Sequence, residues 1–151
     1  VLEHTNSPEC VVKEALRVLK RGGYIFFVFP NYNSFWEGHY GTVWFPFFSK
    51  TMAKIYVKLL QRDPRFINGI NFVTPKKVVQ MLQKQNAYIM TLGSEEWERR
   101  FRSLDFSTWG NTERLLHLAK IIHRFRLLRL AMSVGRKLGA YYPIILVAKK
   151  T

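Results

Sequence analysis

At 151 residues, with 48% hydrophobic and 15% aromatic side chains, the chain has the size of one domain and is too apolar to stay disordered. A single cysteine, Cys10, excludes an internal disulfide and a thiolate metal cluster, and no apolar run approaches the roughly 20 residues that cross a bilayer. The formal charge is +14, and all of the excess lies in residues 49–151, because residues 1–48 carry equal numbers of acidic and basic side chains. Such a balance favours anionic partners: phosphate, nucleic acid, acidic lipid or an acidic substrate.

Residues 1–4 read as the end of a strand. Ser7 then suits an N-cap and Pro8 a first helical position, and Val11, Val12, Ala15, Leu16, Val18 and Leu19 follow at helical spacing. Gly22-Gly23 ends that helix. The run Tyr24–Phe29 is short, aromatic and β-branched, the pattern of a strand buried on both faces of a parallel sheet. Residues 1–29 thus predict the last two thirds of a βαβ unit.

Residues 31–48 are aromatic and irregular. A helix is expected over 49–62, with Lys50, Lys54, Lys58 and Arg62 recurring every four residues along one face; like charges at that spacing repel by a few tenths of a kcal/mol each. Thr74-Pro75 opens another helix through about Gln85, Ala87–Leu92 reads as a strand, and 95–102 is charged and ambiguous. The apolar stripe of the basic region 112–138 changes face midway, which predicts a kink or two helices meeting near Phe125-Arg126. Tyr141–Ala148 closes the chain as an apolar strand.

Several of these segments carry a family likeness. Val1-Leu-Glu-His4, Ser7-Pro8, Ala15-Leu-Arg-Val-Leu-Lys-Arg-Gly-Gly23, Ile25–Phe29 and Pro30-Asn31 resemble class I S-adenosylmethionine-dependent methyltransferases, the type 11 methyltransferase domain in particular. Arg21 stands where that family usually has proline, a change compatible with a helix C-terminus. The likeness covers about 31 residues closely and the rest only in the order of its elements. It implies an α/β, Rossmann-like fold that is incomplete: strands four to seven with their helices, parallel strands plus a terminal antiparallel hairpin. The family's Gly-x-Gly turn is absent from the sequence, and the chain opens on Val1. The expectation is therefore a single partial domain, 1–151, forming the C-terminal part of a methyltransferase and inactive by itself, with an aromatic/basic insert at 31–73 and a basic helical insert at 103–139.

The resemblance places Leu2, Glu3 and His4 at the methionine end of S-adenosyl-L-methionine, the expected cofactor. Asn31, Trp36 and Tyr40 are candidates for substrate contact, and Glu37 with His39 for acceptor base and its orienting partner. Each has a plainer reading as well: His4 as a cap, Trp36 and Tyr40 as core, His39 as a hydrogen-bonded loop residue. No metal is expected; His117 and His123 read as surface residues and Cys10 as buried and inert. The acceptor is expected to be a small molecule, a lipid-linked compound or a sugar. The basic helices have three open readings: a solvated face, contact with acidic membrane, or nucleic-acid phosphates, the last without any recognised nucleic-acid module. The location expected is cytoplasmic, with membrane association in the second case. The rival to the enzyme is a non-catalytic, methyltransferase-like module that binds acidic membrane or polyanion through those helices.

Overall fold

The computed structural model describes residues 2–106 and 113–151. Three helices begin where hydroxyl caps stand. Helix α1 (Pro8–Val18) is capped by Ser7, which accepts the Cys10 amide; α2 (Lys50–Leu59) by Ser49, which accepts that of Met52; and α3 (Pro75–Gln83) by Thr74, which accepts that of Lys77. Each cap satisfies an amide that the helix itself cannot pair. Helix α4 (Ser94–Ser103) covers the ambiguous charged stretch. Its Glu96 pairs with Arg99 and Arg100, and its Glu98 with Arg102 and with Arg136. The basic region forms two helices, α5 (Glu113–Arg124) and α6 (Leu128–Lys137), and Arg126 between them adopts a φ of 55°.

The sheet is where sequence and structure part. Strands β1 (Tyr24–Phe29), β4 (Ala87–Thr91) and β5 (Ile144–Lys150) form one sheet in the order β1-β5-β4. Both pairings are antiparallel, Tyr24 facing Lys149 and Tyr88 also facing Lys149 from the other side. A two-residue hairpin, β2 (Trp36–Glu37) with β3 (Thr42–Val43), forms a second antiparallel pair. Among the described residues no two strands pair in parallel, so the Rossmann-like parallel sheet is not what this chain forms. Residues Leu2–His4 make a 3-10 turn instead of a strand end. Nor is β1 buried on both faces: Ile25 and Phe29 are buried, whereas Tyr24, Phe26 and Val28 are exposed, the alternation of a strand with one covered face.

The inner face of this sheet packs with α1, α3, α4, α5 and α6 around one core that includes Leu2, Leu16, Val78, Trp97, Leu146 and Ala148. Residues 31–73 build a second, smaller cluster around Trp44, Val57, Ile67 and Ile70, in which the Tyr32 and Phe72 rings stack on each other. Cys10 is exposed, contrary to expectation. His123 is no bare surface residue either, since its Nε2 lies 2.6 Å from the Phe101 carbonyl and ties α5 to α4. Among the described residues no helix is long and apolar enough to cross a membrane.

Candidate functional site

The turn at the start of the chain is fixed from a distance. The Glu3 carbonyl accepts the Asn71 amide at 2.7 Å, and Asn71 Nδ2 donates to the Thr5 carbonyl at 2.5 Å. Leu2 is thereby pressed into the main core, fully buried, so its side chain is unable to reach a ligand. Glu3 is also buried, while His4 is exposed with Nε2 3.5 Å from Glu3 Oε1.

The second half of the site grows out of β1. Asn31 follows that strand and is 1% exposed. Its Nδ2 donates to the Gly139 and Tyr141 carbonyls at 2.8 and 2.5 Å, and its Oδ1 accepts the Asn33 amide. Every polar atom of that amide serves the fold, so Asn31 acts as a clamp and offers nothing to a substrate. Ser34 folds over the Trp36 backbone at 2.6 Å and starts the short hairpin. Trp36 goes into the main core, and the next residue, Glu37, points the other way.

Glu37 is 2% exposed and accepts twice at 2.7 Å: Oε1 from His39 Nδ1, Oε2 from the Tyr40 amide. A carboxylate only accepts, which assigns the proton to His39 Nδ1 and the lone pair of the neutral ring to Nε2. The same hydrogen bond holds the His39 imidazole above its usual pKa, with burial opposing and the charges of Glu37 and Glu3 assisting. Tyr40 is held away from the centre: its hydroxyl donates to the Asp63 carbonyl at 2.7 Å and its own carbonyl accepts from Arg62. Burial and then the charges of Glu37 and Glu3 raise the Tyr142 hydroxyl's pKa, and this hydroxyl closes on Gly38, where a Cβ would collide with it.

The two halves meet. The His4 and His39 rings lie edge to face at 5.4 Å, and Phe66 covers both, at 5.7 Å from His4 and 4.8 Å from His39. One donor atom each from Glu3, His4 and His39 lies within 4.8 Å of the others, a donor set of two imidazoles and one carboxylate that zinc also uses. The sequence singled out Glu3, His4, Glu37 and His39 separately, and the structure gathers them. It leaves Leu2, Asn31 and Trp36 in structural roles and Tyr40 at the rim. Phe66, Asn71 and Tyr142 were not foreseen: Phe66 sits in a 3-10 turn (Pro64–Gly69) whose only local signal is the Asp63-Pro64 cap.

For S-adenosylmethionine the fit is one-sided. The buried Glu3 carboxylate beside His4 suits the ammonium of the methionine end. Gly22-Gly23, with φ of 78° at Gly22, forms the turn from α1 into β1 and opens no helix that could face a ligand. No family model, curated protein or solved structure matches this chain.

Proposed function

We propose that the chain is the acceptor-holding portion of an S-adenosylmethionine-dependent methyltransferase working in the cytoplasm, with His39 as general base and Glu37 as its positioning residue. Glu3 and His4 would hold the methionine end, and the cofactor when bound supplies an electrophilic methyl group. The acceptor class stays as broad as the sequence made it: small molecule, sugar or lipid-linked compound. One observation carries the reading: a fully buried carboxylate fixes His39 Nδ1 as the donor, so the lone pair of the neutral ring falls on Nε2, and the ring lies beside Glu3, His4 and Phe66. The arrangement is that of a base held in one tautomer by a carboxylate.

The chemistry asked of the protein is modest. Displacement at a sulfonium methyl needs acceptor and methyl in line, which is a positioning task, and a base only where the acceptor must lose a proton. Such a base typically contributes about 10²–10⁴-fold. Because only unprotonated His39 abstracts a proton, and its pKa is raised, turnover should rise with pH to above the usual imidazole range. The test uses the longest reading frame that contains this sequence. S-adenosylmethionine binding is measured by calorimetry, and S-adenosylhomocysteine release is followed against pH. Expected are binding to that protein, weak or no binding to the 151-residue chain alone, and loss of about 10²-fold or more in His39→Ala. Absence of cofactor binding to the longer protein overturns the reading.

A further inference from the structure

Helices α5 and α6 present an apolar stripe to solvent as well as one to the core. On α5 and just past its end, Leu118, Ile121 and Phe125 are exposed at spacings of three and four; from the N-cap of α6 onward, Leu127, Leu130 and Val134 repeat that spacing. Phe125 and Leu130 are 64% and 63% exposed, and with Leu127 and Arg126 they crowd the turn joining the two helices. A helix that buries one stripe and leaves another apolar one in water has an unmet surface.

The charged side chains that follow Glu113 through α5 and α6 are all cationic, and among the described residues none of those named below has an acidic partner, whereas Arg136 pairs with Glu98 of α4. Lys120, Arg124, Arg126, Arg129 and Lys137 are exposed, and five times the residue just after a cation is an exposed hydrophobe (Ile121, Phe125, Leu127, Leu130, Leu138). Their alkyl stems can lie along the apolar stripe with the charge lifted to its border. After Glu113 the sequence contains no Asp or Glu. An acidic protein or a second copy of this chain would meet the stripe differently: a copy brings the same cations face to face, which repels. Anionic lipid complements both features, with apolar side chains entering the acyl boundary and cations at the headgroups.

A cavity of about 190 Å³ lies beneath the two helices, walled by Trp36, Trp97, Phe101 and Met132. Leu118 and Val134 belong both to this wall and to the outer stripe. The apolar surface is thus continuous from the outer face inward.

We propose that the α5–α6 face is an interfacial membrane-docking surface that lies on bilayers rich in anionic lipid, its joining turn inserting Phe125 and Leu127 between the headgroups. The proposal stands independently of the methyltransferase reading. The 151-residue chain is sedimented with vesicles of phosphatidylcholine alone and of phosphatidylcholine with about one-third phosphatidylserine, at low and high salt. Binding is expected only to the anionic vesicles and is weakened by salt. Two neighbouring cations should together be worth about 30-fold in affinity, so Arg126→Ala/Arg129→Ala loses about that much. Leu127→Ser/Leu130→Ser removes insertion without touching charge, and since both residues are exposed the fold should survive, which circular dichroism checks. Lys50→Ala/Lys58→Ala on α2 removes the same charge elsewhere and should change affinity only a few-fold at most. The proposal is overturned if anionic vesicles are not bound, if the α2 variant loses as much as the α6 variant, or if single-stranded RNA binds more tightly than the vesicles. It is overturned equally if light scattering shows a dimer that Leu127→Ser/Leu130→Ser dissolves.

Discussion

Removing the His39 ring tests the site through stability alone, with no substrate needed. In His39→Ala, Glu37 Oε1 loses its partner at 2.7 Å while Oε2 keeps the Tyr40 amide. Leaving one oxygen of a 2%-exposed carboxylate without its charged partner costs about 1.5–3 kcal/mol. The His39 side chain is 29% exposed, so solvent screening puts the figure near the lower end. Lost ring contacts with Phe66 and His4 add about 0.5–1 kcal/mol. The expected cost is therefore about 2–3 kcal/mol in weakly acidic buffer. Its pH dependence has a fixed sign. The folded pKa of His39 is raised, so the stabilisation is fully present below the unfolded imidazole value of about 6.5 and is lost as pH rises through the folded value. Across that window the gap between wild type and variant should shrink by up to about 1.4 kcal/mol per pH unit. Urea unfolding followed by tryptophan fluorescence between weakly acidic and weakly basic pH reads the gap directly, and the other histidines cancel because both proteins carry them. A gap that stays constant, or widens, with rising pH refutes the charged Glu37–His39 pair.

Three further outcomes follow from geometry. Zn²⁺ should bind Glu3, His4 and His39, raising the melting temperature and inhibiting turnover; His4→Ala should abolish the rise in melting temperature, whereas loss of turnover on chelator treatment would replace the base with metal chemistry. Asn31→Asp sets a carboxylate against the Gly139 and Tyr141 carbonyls and should cost about 3 kcal/mol or more, visible in a thermal melt as a fall of roughly 6–12 °C; a variant as stable as wild type would deny Asn31 its clamping role. Gly135→Ala gains up to about 1 kcal/mol of helix propensity but drives a methyl into the buried Trp97 ring; overpacking at about 1–3 kcal/mol should win, giving net destabilisation in urea, and a stabilised variant would show that the ring yields freely.

The sequence was legible where a signal is local. Ser7-Pro8 and Thr74-Pro75 start helices because a cap and its amide lie within four residues, and the change of apolar face near Phe125 marks the break between α5 and α6. Strand pairing is not local. The run Tyr24–Phe29 is apolar at every position, so its composition is the same whether both faces are covered or one is left bare; only the structure shows Phe26 and Val28 outside and β5 running antiparallel beside it. Residues 2–4 are too few to show a period, and their turn is set by Asn71, far along the chain. At the site, the two-residue spacing of Glu37 and His39 announced their pairing. Their meeting with Glu3 and His4 depended on Phe66, whose position is fixed by tertiary packing.

The antiparallel order has a consequence for how the site is held. Because β5 runs back along β1, the residues that lead into it, 139–142, lie against those that leave β1. Asn31 reaches the Gly139 and Tyr141 carbonyls, Asn33 Nδ2 reaches the Leu138 carbonyl at 2.5 Å, and Tyr142 closes on Gly38. A parallel neighbour would have brought a different end of the chain there. The segment carrying Glu37 and His39 is thus tied directly to the end of α6, whose last turn ends at Lys137. Force or ordering applied to α6 at a lipid surface has only Leu138 and Gly139 to cross before it meets the Asn31 clamp. The coupling would act through those four hydrogen-bonded or packed contacts and through no part of the outer sheet face. Variants of Tyr24 or Phe26, exposed on that face, should leave both membrane affinity and the His39 pH response unchanged.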